Sequence, residues 1–130
     1  MKFIERHTKE FGIKRVQYLP VSGAFHTNLM LNAKQSVGKA LTDINIHDPV
    51  IPVHSNVNAF KYKSSLTIAK LLPQQICKPV KWEQILHVVY SRPQGERFPH
   101  TFEVGPGHNL GSILRKTNQK AYEYYSNIEV

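Results

Sequence analysis

Cysteine is nearly absent from this sequence. Cys77 stands alone among 130 residues, which excludes an internal disulfide and fits a reducing compartment. Long apolar runs are absent too, so no stretch is long enough to span a bilayer. The first ten residues, MKFIERHTKE, are too charged for a secretory leader and lack the Arg/Ser-rich, acid-poor character of a transit peptide. An organelle address is therefore expected to lie outside the chain. No Gly/Ser or Pro tract divides the sequence, and no internal repeat is present. Acidic residues are scarce, nine against seventeen Lys and Arg, for a net charge of +8. That surplus favours anionic partners. The basic residues are scattered and form no stripe interleaved with aromatics, which argues against nucleic acid. What is present, 41% apolar residues with six Phe and six Tyr, suffices for one domain core.

The residue pattern alternates between helix and strand. Phe3, Ile4, His7 and Phe11 give a weak helical period closed by Gly12 at the C′ position. Ile13, Val16, Tyr18 and Leu19 read as a strand ended by Pro20. From Asn28 the period is helical, with Leu29, Ala33, Val37, Ala40, Leu41 and Ile44 on one face and Thr27 or Asn28 as cap. Val50, Ile51 and Val53 read as a short buried strand, and residues 56–63 as a loop or edge hairpin. Ser64 or Ser65 opens a helix with Ile68, Leu71, Leu72 and Ile76 inward, broken at Pro73. A stronger helix begins at Pro79, with Trp82, Ile85, Leu86 and Val89 inward. A strand over 101–104, a glycine-rich turn, a helix from Leu110 and a strand over 121–125 complete the chain. Strands alternating with helices predict an α/β layer fold with a largely parallel sheet.

The chemically pointed stretch is residues 19–30, LPVSGAFHTNLM, which places His26 where an extended segment gives way to a helix. Imidazole titrates near neutrality, and the carboxyl ends of strands are where α/β folds gather their sites, so His26 is a candidate general base. Ser22, four residues earlier, lacks the glycine-flanked elbow of a nucleophile. No metal site is expected, because His47 and His54 are separated by a proline-bounded segment and no H-E-x-x-H or C-x-x-C pairing occurs. Residues 105–111, GPGHNLG, have the wrong glycine spacing for a dinucleotide fingerprint. Read as an elbow, G-H-N-L-G carries Asn109 where serine would stand, and asparagine forms no acyl-enzyme. These glycines are expected to serve a tight strand-to-helix turn with close packing.

Four blocks occur in order along essentially the whole chain: LPVSGAFHTNLM, IPVHSNVNA, LLPQQICKPVKWEQ and TFEVGPGHNLGSILRK. Together they resemble the malonyl-CoA:acyl-carrier-protein transacylases, and FPHTFEVGPG with KWEQILHVVY looks most like the mitochondrial animal form. The resemblance implies part of an α/β-hydrolase-like acyltransferase large domain over residues 19–130. Residues 1–18 would be the last helix and strand of an inserted ferredoxin-like subdomain. It implies ping-pong transfer of malonyl from coenzyme A to a serine and then to the phosphopantetheine thiol of acyl carrier protein, with no tightly bound cofactor, no metal and no membrane. By the same resemblance His26 is the base, the backbone carbonyl of Gln75 orients it, and Phe25 gates the acyl pocket toward malonyl. The chain departs from the family in lacking the G-H-S-L-G serine elbow. It is therefore expected to supply the histidine without the serine, and alone to be inactive. The alternative is a non-catalytic relative that binds a partner such as acyl carrier protein.

Overall fold

The computed structural model describes residues 2–16, 18 and 20–130. Its elements run α1 (Lys2–Arg6), α2 (Leu31–Ala40), α3 (Ser65–Leu71), α4 (Trp82–Tyr90), β1 (Thr101–Val104), α5 (Asn109–Thr117), α6 (Gln119–Tyr122) and β2 (Tyr125–Ile128). Short 3-10 turns precede and follow α2, and another, Pro73–Ile76, follows α3. The two strands are parallel neighbours, Thr101 opposite Tyr125 and Val104 opposite Ile128, so the α/β expectation holds.

Local chemistry accounts for most helix starts. Thr27 caps the turn into α2, its hydroxyl accepting from the Leu29 amide at 3.3 Å and donating to the Ala24 carbonyl at 2.7 Å. Ser64 and Thr67 form a reciprocal capping box at the start of α3. Pro73 then ends the α-helical ladder and opens the 3-10 turn, as a residue without an amide hydrogen must. The helix expected at Pro79 begins at Trp82, because Pro79 and Val80 are non-helical and the Lys81 amide donates outward to the Asn56 carbonyl at 3.0 Å.

Three expectations fail. Residues 13–16 and 18 carry no strand (Leu19 lies outside the described residues), and Val50, Ile51 and Val53 are neither a strand nor buried, Val50 being 100% exposed. Both segments have strand-like composition, but a strand needs a continuous hydrogen-bonded ladder; among the described residues the first segment has none, and the second has only the Val53 carbonyl, which accepts from the Tyr62 amide at 2.9 Å. Near the second segment there is a single antiparallel bridge, His54 with Lys61, at the expected hairpin. The strand expected over 121–125 is also displaced. Asn118 accepts from the Ala121 amide at 3.0 Å and caps α6, so the strand starts only at Tyr125. On and around α2, Leu29, Ala40 and Ile44 stay exposed, while Ala33, Val37 and Leu41 are half-buried.

The core lies between α4, α5 and α6, where Leu86, Tyr90, Leu114 and Ala121 are buried with Trp82, Val89, Phe98, Tyr122 and Tyr125 against them. Toward this helical layer the sheet presents Thr101, Glu103, Tyr125 and Asn127, and the opposite face of Phe102, Val104 and Ile128 is open. Glu103 organises the covered face. Its carboxylate accepts from the Leu110 amide at 3.1 Å, the Gly111 amide at 2.8 Å and the Tyr125 hydroxyl at 2.6 Å, satisfying the first turn of α5. Asn127 donates to the Gly107 carbonyl at 2.7 Å, and Gly107 takes φ 84°, a conformation glycine adopts at little cost. A Cβ at Gly111 would run into the Tyr125 ring, so the expected close packing is real at Gly111. The Tyr125 hydroxyl holds the Glu103 carboxyl below its ordinary value of 4.5; desolvation opposes that shift and the two amides reinforce it. The same hydrogen bond, with desolvation and the carboxylate charge, pushes Tyr125 up to about 12.

Two outcomes follow from this arrangement. The open face of Phe102, Val104 and Ile128, with exposed Val50 and Ile51, is an association surface. In sedimentation velocity at micromolar concentration the isolated chain runs as oligomers; a single monomeric boundary with a sharp cooperative melt would contradict this. The second outcome concerns pH. Glu103 has a folded value below its unfolded one, so its stabilisation is complete above 4.5 and drains as pH falls through the folded value. Tyr125 has the opposite sign: its contribution is complete below 10 and is lost as pH rises through about 12. Urea midpoints measured across pH for Glu103→Gln show shallower losses at both ends than the parent; parallel curves would remove Glu103 from this role.

Candidate active site

His26 is held by its backbone before its ring. The turn over 24–27, tied by the Thr27 hydroxyl, carries His26 in the left-handed region at φ 65°, and its amide donates to the Ile76 carbonyl at 2.7 Å. Histidine enters this region more readily than most residues, but outside glycine the conformation costs about 1–3 kcal/mol and persists only where surroundings enforce it. The enforcement comes from α2, which leaves the turn and packs against Pro73–Ile76, with Gly38 facing the Pro73 ring. Residues 26 and 76 are thereby brought into contact across 50 positions of sequence.

The ring follows. Nδ1 of His26 lies 2.9 Å from the Gln75 carbonyl oxygen and 3.0 Å from that of Lys78. A carbonyl oxygen only accepts, so Nδ1 carries the hydrogen and donates to both. The neutral ring then has its lone pair on Nε2, and the His26 side chain is solvent-exposed. No carboxylate contacts the ring among the described residues, so its orientation rests on neutral carbonyls. Such a ring can take a proton at Nε2 while Nδ1–H stays bonded.

The structure brings His26 and the Gln75 carbonyl into hydrogen-bonding distance. Phe25, 44% exposed, precedes them, its ring about 3.5 Å from where a Gly23 Cβ would stand. Ser22 makes no hydrogen bond to His26 among the described residues. Asn109 heads α5, and nothing places it near His26. The Lys78 and Ile76 carbonyls were not anticipated from sequence, and main-chain acceptors leave no residue signature. A groove of 770 Å³ lies elsewhere, lined by Phe60, Lys61, Tyr62, Lys63, Leu71 and Val88, and contains none of the anticipated site residues. Among the described residues no three His, Cys, Asp or Glu side chains gather as a metal site, and no helix is long and apolar enough to cross a membrane.

No family model matches the chain. Individual relatives do. The chain is 45% identical over its whole length to the mitochondrial malonyl-CoA-acyl carrier protein transacylase of Homo sapiens, covering 33% of that protein. It is 48% identical over 98% of its length to the probable mitochondrial counterpart of Drosophila melanogaster, covering 34% of it. In three dimensions it superposes on the crystal structure of malonyl-CoA:acyl carrier protein transacylase from Xanthomonas oryzae with a TM-score of 0.75 and 28% identity, over 95% of this chain and 37% of the other. The chain thus spans about a third of the length of the curated relatives it matches. By sequence and fold together, the chain is similar to the C-terminal portion of the malonyl-CoA-acyl carrier protein transacylases.

Proposed function

We propose that these residues contribute the general base of a malonyl transfer from coenzyme A to the phosphopantetheine thiol of acyl carrier protein, in a mitochondrial setting. The observation that carries the reading is the Nδ1–H of His26 shared between the Gln75 and Lys78 carbonyls, which leaves Nε2 as an exposed base. The nucleophile is a serine outside this sequence, since no G-H-S-L-G elbow occurs in it.

Nε2 of His26 takes the serine proton as the oxygen attacks the malonyl thioester. The imidazolium returns that proton to the departing coenzyme A thiolate, leaving malonyl on serine. In the second half Nε2 deprotonates the carrier thiol, whose sulfur attacks the acyl-serine and regenerates the alcohol. Neither half needs a metal or a tightly bound cofactor. The net charge of +8 suits both the phosphates of coenzyme A and an acidic carrier. Residues 1–18 are assigned to an inserted ferredoxin-like subdomain and 19–130 to the large domain. The helix Lys2–Arg6, followed by a turn at the left-handed Gly12, suits that division. The same net charge and the absent elbow also support a second reading, a non-catalytic relative that binds acyl carrier protein.

The isolated chain transfers no radiolabelled malonyl to carrier protein above the uncatalysed rate. Grafted in place of the matching portion of a full-length mitochondrial relative, it restores transfer, and His26→Ala then lowers kcat by roughly 10²–10⁴-fold. A graft that folds and binds carrier without turnover favours the second reading; near-normal turnover of the His26→Ala graft removes the base from its role.

Phe25 gives the substrate prediction. A phenyl ring beside the base leaves little space at the α-carbon of the acyl group, and a methyl-sized difference is worth roughly 10–200-fold in discrimination. In the graft, Phe25→Ser shifts the kcat/KM ratio toward methylmalonyl within that range. An unmoved ratio in a folded protein assigns Phe25 to packing alone.

A further inference from the structure

The geometry around the His26 ring contains a second acceptor that the proposed mechanism does not require. Within the four residues 75–78, three carbonyl oxygens converge on one residue. Gln75 O and Lys78 O lie 2.9 and 3.0 Å from Nδ1, and Ile76 O lies 2.7 Å from the His26 amide nitrogen. We propose that Lys78 and Pro79 form the second half of a tautomer lock on His26, with Lys78 supplying a backbone carbonyl and Pro79 acting as the positioning residue that aims it.

Two carbonyls do what one does less well. In the alternative neutral tautomer the proton sits on Nε2 and the Nδ1 lone pair faces the acceptor. With one carbonyl the ring escapes that repulsion by a small rotation. With two carbonyl oxygens both within hydrogen-bonding distance of Nδ1, a rotation must clear both of them to relieve the repulsion. The wrong tautomer then has no comfortable orientation, and Nε2 is held in its proton-accepting form.

Pro79 explains why the Lys78 carbonyl is available. Cys77 is still helical, at φ −108° and ψ −21°, and the amides of Cys77 and Lys78 both donate to the Gln74 carbonyl, at 3.1 and 2.9 Å. Were the turn to continue, the Lys78 carbonyl would point along its axis. A residue that precedes proline is driven out of the helical region into extended backbone, which swings its carbonyl off that axis. Downstream, the Lys81 amide is fastened to the Asn56 carbonyl at 3.0 Å, so the departing chain is held on both sides of Pro79. The Lys78 side chain has no part in this; only its main chain does.

The lock deepens the proposed function but is read without turnover. The seven histidines can be labelled with ¹⁵N in the intact 130-residue chain and observed by magic-angle-spinning NMR, which tolerates association. The His26 resonances are assigned by difference against His26→Asn. At about pH 9, above the ordinary histidine range, the parent shows protonated Nδ1 and bare Nε2 as the dominant pair. Lys78→Ala leaves this pattern intact, while Pro79→Gly produces a second set with protonated Nε2 amounting to some tenths of the signal. If the far-UV circular dichroism of the glycine variant departs from the parent, Pro79→Ala is read in its place. A parent with protonated Nε2 overturns the lock, and an unchanged pattern in a folded Pro79 variant overturns the role of Pro79. In the grafted enzyme Pro79→Gly lowers kcat roughly ten- to hundredfold with KM for malonyl-CoA unchanged, as misorientation of a reacting group implies; a change confined to KM would also overturn it. A graft that never transfers malonyl while the tautomer pattern stands would sink the transfer reading and leave the lock in place.

Discussion

The contact between the His26 turn and the main chain of residues 75–78 joins two stretches of chain that share no side-chain chemistry. One residue contributes the donors, an amide and a ring N–H, and three carbonyls accept them. Both ends are rigid for local reasons, a hydroxyl-tied turn at Thr27 and a proline-opened 3-10 turn at Pro73. The left-handed backbone of His26 is tolerated because these bonds hold it, and the bonds are short because that backbone points the ring at the turn. The ring and its support therefore stand or fall together.

The acceptors are neutral, which bears on the chemistry. A carboxylate would set a negative charge beside the ring; the carbonyls fix the tautomer without one. The carboxylate that is deeply engaged in this chain, Glu103, is committed to the first turn of α5 and to Tyr125.

The sheet reverses the ordinary arrangement. Its polar face meets α5 through Glu103 and the glycine-rich turn through Asn127, and its apolar face is open. The same holds at residues 50–53, where a strand-like run is exposed. The described residues thus form one helical layer and two strands of an architecture whose remaining members in the matched transacylases occupy about two thirds of the protein.

Much was legible in the sequence because it is local. The caps at Thr27 and Ser64, the break at Pro73, the inward face of Trp82, Ile85, Leu86 and Val89, the strand at 101–104 and the tight turn after it depend on near neighbours, and the folded chain has them as anticipated. The position of His26 just ahead of a helix was equally legible, as was the family that its motif resembles. Residues 13–16, 18 and 50–53 were misread because strand-like composition does not supply a neighbouring strand, and residues 121–122 because the Asn118 cap claimed an amide that a ladder would have used. The pairing of Phe102, Val104 and Ile128 on an open face came only with the parallel register. Above all, the Lys78 carbonyl at His26 was decided by tertiary structure. Every residue carries a carbonyl, so nothing in the letters distinguishes the one that the fold aims at a ring 52 residues away.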